Sequence, residues 1–180
     1  MHDKANPPIA FGLTPPEVLA SMSGLDFLRK MFAGELPHAT MMQQVGLVGG
    51  SAEQGHVIFR AAPGPEHYNP IGTVHGGFAA TLLDSAMGCA VQSMLPAGTV
   101  YTSLEFKISL IRAITRDTGE VRAEGRALNV GRRIGTAEGR LLDGKGRLLA
   151  HGTTTCLVFE APKSARWNGL SRSRLKPASQ

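Results

Sequence analysis

Residues 69–94, NPIGTVHGGFAATLLDSAMGCAVQSM, constrain the fold more than any other stretch of the chain. They open with turn residues, pass through His75-Gly76-Gly77 and continue as a helical run. Ala79, Ala80, Leu83, Ala86, Met87, Ala90, Val91 and Met94 recur at the three-and-four spacing of one helix face. Between them stand small residues, Thr81, Ser85, Gly88 and Cys89, and a single charge, Asp84. A helix with so little charge is predicted to be wrapped on most sides by other structure. Asp84 falls within about 60° of Ala80, Met87 and Val91 on the helical wheel, so it is expected on the apolar side. A carboxylate there must be hydrogen-bonded, partly hydrated or in use.

The flanking segments change period. Thr14-Pro15-Pro16-Glu17 reads as a helix start with a capping hydroxyl, and Val18 to Phe32 follow a helical rhythm broken at Ser23-Gly24. This predicts one bent helix or two short ones, ended by Gly34 and Pro37 and packed on the main body. Val45–Val48 and His56–Ala61 read as short strands, separated by Gly49-Gly50-Ser51 and Gln54-Gly55. Beyond the central helix, Leu104, Phe106, Ile108 and Leu110 alternate with Glu105, Lys107 and Ser109, the mark of a half-buried strand. Val121–Ala127, 134–142 and 147–159 extend this into a meander, with Asp143-Gly144-Lys145-Gly146 as a hairpin signal. One buried helix among antiparallel strands predicts an α+β fold, a curved antiparallel sheet around a single long helix. The organisation read is a helical extension over 1–40, one domain over 41–160 and a basic tail over 161–180.

Composition narrows the function classes. Five of the 19 basic residues lie in 161–180, which holds no acid, so the rest of the chain balances its 14 acids. The net charge of +5 is therefore a property of the tail, and the body is not built to bind nucleic acid. No apolar run reaches the length of a membrane span, and the first residues lack the pattern of a signal peptide. A cytoplasmic protein without membrane contact is expected, with Cys89 and Cys156 as buried free thiols. The histidines are scattered and form no metal-ligand pattern.

The helix start is the first candidate site. The glycines after His75 permit close approach, and the unpaired amides of a helix N-terminus can hold an oxygen that becomes negative. Asp84 lies nine residues after His75, about 12–13 Å along one helix. If both act on one substrate, a second copy of the chain must bring them together, as a two-fold dimer does.

Asn69-x-x-Gly72-x-x-His75-Gly76-Gly77 followed by Asp84 resembles the hotdog-fold acyl-CoA thioesterases of the phenylacetate-pathway (PaaI-like) type. The resemblance extends through Tyr101–Lys107, Gly131-Arg132-Arg133 and His151–Val158, roughly residues 40–160. The N-terminal helical segment looks like an elaboration of this hotdog core. The resemblance implies an enzyme that hydrolyses acyl-CoA thioesters to free acid and CoA. It implies Asp84 as nucleophile or general base and the Gly76 amide as oxyanion donor. Asn69 would position the thioester or water, His75 would orient the loop, and Ser103 would help hold the attacking water. Arg132 and Arg133 match positions near the CoA nucleotide and phosphates. No metal or redox cofactor is implied, since CoA is part of the substrate. The implied assembly is a homodimer joined sheet edge to sheet edge, paired again into a homotetramer. A non-catalytic acyl-CoA binder or sensor on the same fold is the alternative, and a hotdog hydratase ranks below it.

Overall fold

The computed structural model describes residues 9–161. The basic tail assigned to 161–180 therefore lies almost wholly outside the described residues. The chain begins with two short helices, α1 (Pro16–Ala20) and α2 (Gly24–Phe32), and a single helical turn, α3 (Met41–Gln44). A hairpin follows, β1 (Leu47–Glu53) and β2 (His56–Ala61), then the long helix α4 (Gly76–Gln92). Four strands complete it: β3 (Thr99–Leu110), β4 (Val121–Val130), β5 (Ile134–Asp143) and β6 (Leu148–Glu160).

All six strands form one antiparallel sheet in the order β1-β2-β4-β5-β6-β3, with β1 and β3 as its edges. The sheet curls around α4, whose Leu82, Leu83, Ala86, Met87, Ala90 and Val91 are fully buried. Glycines on the inner face make this wrapping close. A Cβ at Gly125 would strike the α4 backbone at Ala86 and Met87, one at Gly139 would lie 2.8 Å from the Met87 Cγ, and one at Gly135 would meet Val91. Helix and sheet thus pack almost backbone to side chain, which the period-2 pattern of β4 and β5 alone does not disclose.

The N-terminal layer docks at the C-terminal end of α4. The Gly24 amide donates to the Leu95 carbonyl at 3.0 Å, and Leu28 and Met31 enter the core. Ser23 caps α2 by accepting from the Asp26 amide at 3.1 Å, so Ser23-Gly24 separates two helices rather than bending one. Pro15, not Thr14, occupies the N-cap of α1, and no side chain caps it. A small aromatic cluster holds this layer to the hairpin, with Phe32 against Phe59 at 5.1 Å and against His38 at 5.3 Å between ring centres.

Two strand expectations are corrected. Gly49-Gly50-Ser51 does not interrupt a strand but lies inside β1. The Phe32 ring covers Gly50 so closely that no Cβ would fit, and the glycine serves that approach. The clean alternation expected over 104–110 also fails. The pairing of β3 with β6 shifts at Ser103/Glu105, leaving Leu104 as a bulged residue. The strand is an edge, and Leu104, Phe106 and Leu110 are 57%, 45% and 60% exposed. Among the described residues nothing covers these apolar side chains fully.

Candidate active site

Asp84 does not point into the core. Gly77, Ala80, Thr81, Asp84, Ser85 and Cys89 form the one stripe of α4 that is not fully buried, and Asp84 is half-buried on it. The wheel places Asp84 near Met87 and Val91, but the sheet covers those residues and stops short of Asp84. β3 supplies its partner. The Ser103 hydroxyl donates to the Asp84 Oδ1 at 2.8 Å. Ser103 is the last residue before the bulge, paired with Cys156 on β6, so the inward pleat of β3 aims it at the helix.

Two more groups close this corner. The Tyr101 ring lies over Gly88, one turn beyond Asp84, where any Cβ would collide with it. Its hydroxyl stands 4.0 Å from the Cys89 Sγ. Burial pushes the Cys89 thiol up to about 12, with the Asp84 charge adding to the shift, and burial raises Cys156 and Tyr101 as well. Both thiols are thus held further toward the protonated form than a free cysteine. Among the described residues, Asp84 is the one carboxylate in this corner, beside two thiols and a phenol.

The second group of candidates gathers at the other end of α4. His75 is the N-cap, and its Nδ1 accepts from the Gly77 amide at 2.9 Å. That bond leaves the proton of the neutral ring on Nε2. The Gly76 amide, by contrast, meets no acceptor among the described residues. Gly76 lines a cavity of about 230 Å³ together with Asn69, Thr73, His75, Ala79, Leu110 and Arg112, among others. The loop before the helix is held firmly. The Asn69 Oδ1 accepts from the amides of Ile71 at 3.1 Å and Thr73 at 3.4 Å, and its Nδ2 donates to the Thr73 Oγ1 at 3.1 Å. The Val74 amide donates to the Ile114 carbonyl at 2.8 Å, and the His75 amide to the His67 carbonyl at 2.7 Å. Asn69 is thus already occupied in shaping the loop. The Ile111–Ile114 segment carries no periodic signal; the Val74–Ile114 bond and the bonds from the Ile111 and Arg112 amides to the Leu149 carbonyl hold it beside the cavity.

The structure brings Asn69, His75 and Gly76 together, and Asp84 and Ser103 together, but keeps the two groups apart within one chain. Eight residues of helix separate Gly76 from Asp84, about 12 Å. Arg132 and Arg133 are exposed on the β4–β5 turn and make no ion pair among the described residues. The Arg133 carbonyl accepts from the Val158 amide at 2.8 Å, opposite Tyr101. The arginine turn therefore lies at the Asp84 end of β3, and the Gly76 cavity lies beside Leu110 at the other end.

Residues 71–150 match the model of the thioesterase superfamily, a span from the cavity loop into β6 that takes in α4 and β3. The chain belongs to the thioesterase superfamily. Its fold is the hotdog fold of those proteins, a curved six-stranded antiparallel sheet around one long helix. A Halobacterium salinarum protein that carries an esterase name is 41% identical to this thioesterase-superfamily chain over 70 residues. That match covers 37% of this chain and spans less than half, 44%, of the curated relative. Among solved structures, a conserved protein of Pseudomonas aeruginosa superposes with a TM-score of 0.63 at 31% identity, covering 68% of this chain and 95% of that one. A phenylacetic acid degradation-related protein of Ralstonia eutropha JMP134 gives 0.66 at 26% identity, covering 73% and 98%. A Streptococcus mutans protein bound to acetyl CoA gives 0.57 at 25% identity, covering 66% and 90%.

Proposed function

We propose that this protein hydrolyses acyl-CoA thioesters to a free acid and CoA, with Asp84 as the nucleophile or general base. The observation that carries the reading is the Ser103–Asp84 hydrogen bond on the half-open stripe of a buried helix. A carboxylate accepting one hydroxyl keeps a free oxygen for chemistry. As nucleophile, that oxygen attacks the thioester carbonyl carbon, the C–S bond breaks, CoA leaves as thiolate, and water cleaves the resulting anhydride. As general base, it takes a proton from water, and the hydroxide attacks the same carbon. In both, the carbonyl oxygen becomes negative and needs a donor. The uncommitted Gly76 amide at the positive end of α4 is that donor.

One chain cannot place both groups on one carbonyl, so the working unit is a dimer. The free edge of β3, with Leu104, Phe106 and Leu110 uncovered, is the surface that joins two copies. Antiparallel pairing of β3 with its copy sets the Leu110 end of one chain against the Ser103 end of the other. Gly76 of one protomer then faces Asp84 of its partner, giving two sites per dimer, and two dimers form a tetramer. Arg132 and Arg133, at the Asp84 end, lie where the phosphates of CoA extend away from the thioester. The acetyl-CoA complex of the Streptococcus mutans relative supports CoA as carrier, and the Ralstonia eutropha relative supports a PaaI-like assignment.

The test is thiol release from phenylacetyl-, benzoyl-, butyryl-, hexanoyl- and lauroyl-CoA by wild type and Asp84→Asn. Turnover that drops at least about 100-fold in the variant supports the assignment. Unchanged turnover rejects the role of Asp84. Tight binding of CoA esters with no turnover moves the reading to the non-catalytic binder.

A further inference from the structure

His67 is not among the residues that line the cavity, yet it grips the chain on both sides of Gly76. Its carbonyl accepts from the His75 amide at 2.7 Å, and its ring packs on the Phe78 ring, 4.9 Å between centres and tilted by 55°. One residue thus holds both the N-cap and the first turn of α4. The His67 side chain is itself only 7% exposed, at the end of a 3-10 turn, Pro65–His67. Both ring nitrogens are engaged. Nδ1 accepts from the Gly64 amide at 2.8 Å, and Nε2 donates to the Gln44 carbonyl at 2.7 Å. A carbonyl only accepts, so Nε2 carries the proton, and the two bonds specify one tautomer. Gln44 ends α3, which packs on the half-open stripe of α4, where the Ser85 Oγ donates to the Met42 Sδ at 3.4 Å. The ring is therefore anchored to α3 and to the Gly64 turn, and it passes that anchorage to the start of α4.

We infer that His67 is a positioning residue for the reaction: it holds the Gly76 amide in the direction that meets the thioester oxygen. This rests on the proposed role of Gly76 as oxyanion donor. Such a donor acts only at about 2.7–3.1 Å from the place where charge develops, and a shift of about 1 Å costs on the order of 100-fold. The first amides of a helix lack intrahelical partners, so its own ladder does not fix their direction. Gly76 and Gly77 have no side chains to pack, and glycine tolerates many backbone conformations. The aim of the Gly76 amide then depends on its neighbours, and His67 holds His75 before it and Phe78 after it. Asp84 stands about two turns further along α4, where Ser103 of β3 sets its carboxylate. The two halves of the site have separate supports, so a defect at His67 belongs to the Gly76 half.

The test uses the full chain as His67→Phe, which keeps a ring against Phe78 but loses both ring bonds, and as His67→Gln, whose amide can replace the Nε2 bond. Thermal melts set an assay temperature at which every variant is folded. On the thioester that wild type cleaves fastest, His67→Phe is expected to lower kcat about 10- to 100-fold with KM within about threefold, and His67→Gln to regain part of the loss. Refolding variants in pairs then shows which half of the site is damaged. A composite dimer of His67→Phe with Asp84→Asn contains one intact site, so that mixture should recover roughly a quarter of wild-type activity. His67→Phe with Gly76→Pro, which lacks the amide proton, damages the same half twice and should gain nothing. Recovery with Gly76→Pro, recovery with neither partner, or an unchanged kcat in His67→Phe overturns the inference. If His67→Phe does not fold, His67→Gln takes its place in the same pairs. Gly76→Pro with Asp84→Asn is the control. Its failure to recover rejects the two-chain site and this inference with it, whereas recovery there without recovery for the His67 variant rejects this inference alone. No turnover on any thioester removes the thioesterase reading, and this inference with it.

Discussion

Ser103 donates its hydroxyl proton to the Asp84 Oδ1 at 2.8 Å across the gap between β3 and α4. The bond joins the edge strand of the sheet to the middle of the buried helix, and it restricts the carboxylate to one rotamer with Oδ2 free. Removing the hydroxyl should cost orientation rather than the reactive group. Ser103→Ala is expected to lower kcat about tenfold with little change in KM, against at least about 100-fold for Asp84→Asn. Steady-state kinetics on the best thioester of the panel measures both. Equal losses in the two variants would make Ser103 part of the chemistry instead of its support.

Gly76 can lose its N–H without losing the helix. It is the first residue of α4, and His75 before it is extended at φ −61°, ψ 139°. Proline is tolerated at that position and the preceding conformation suits it. Gly76→Pro should therefore melt close to wild type while kcat falls about 10²–10³-fold, the scale of a lost oxyanion donor. Mixing unfolded Gly76→Pro with Asp84→Asn and refolding them together tests the shared site. A composite dimer has one intact site, so the mixture should recover roughly a quarter of wild-type activity by random pairing. No recovery would show that both groups act within one chain.

His38 makes the N-terminal layer sensitive to acid. It is 2% exposed among Phe11, Phe32 and Phe59, with Nδ1 unpartnered. Burial holds its pKa below the ordinary 6.5, opposed in part by a bond to the Met31 carbonyl, and no charged group contributes. The unfolded chain then binds the proton more readily than the folded one. The stabilisation is full above about pH 6.5 and is lost as the pH falls through and below it. Thermal melts should show Tm dropping from pH 7.5 to 5, and His38→Phe should flatten that part of the curve. An identical acid slope in the variant would place the sensitivity elsewhere.

Asp143 is a second acid-sensitive point, in the β5–β6 hairpin. Its Oδ1 accepts from the amides of Lys145 at 2.9 Å and Arg147 at 2.8 Å, and its Oδ2 from the Arg147 Nε at 2.6 Å. The Arg147 amide bond leads in holding its pKa below the ordinary 3.8. This stabilisation is present above about pH 4 and disappears as the pH falls through the depressed folded value. Asp143→Asn should lower Tm at pH 7, and the gap to wild type should close in melts near pH 3. A gap that persists there would mean that packing, rather than charge, carries the effect.

Much of this architecture was legible in the order of residues. The charge-poor run from Gly76 to Gln92 can only be a helix enclosed by other structure, and the alternation after Leu104 with the Asp143–Gly146 turn can only be an antiparallel meander. Those patterns are local, since each follows from side chains three, four or two positions apart. The motif around His75 and Asp84 resembles the thioesterase superfamily, and residues 71–150 match that family's model. What the tertiary structure decided is which side of each element is covered. The sheet stops short of one stripe of α4, so Asp84 is half open although its wheel neighbours are buried. A bulge at Leu104 breaks the alternation, and the order of strands makes β3 an edge, so its apolar residues stand uncovered. Phe32 turns Gly50 from an apparent strand break into a contact point. The cavity at Gly76 is completed by Arg112 and Ile114, nearly forty residues away in the chain. None of these leaves a periodic trace, because coverage and juxtaposition depend on elements distant in the chain, while periodicity records only what a residue does beside its near neighbours.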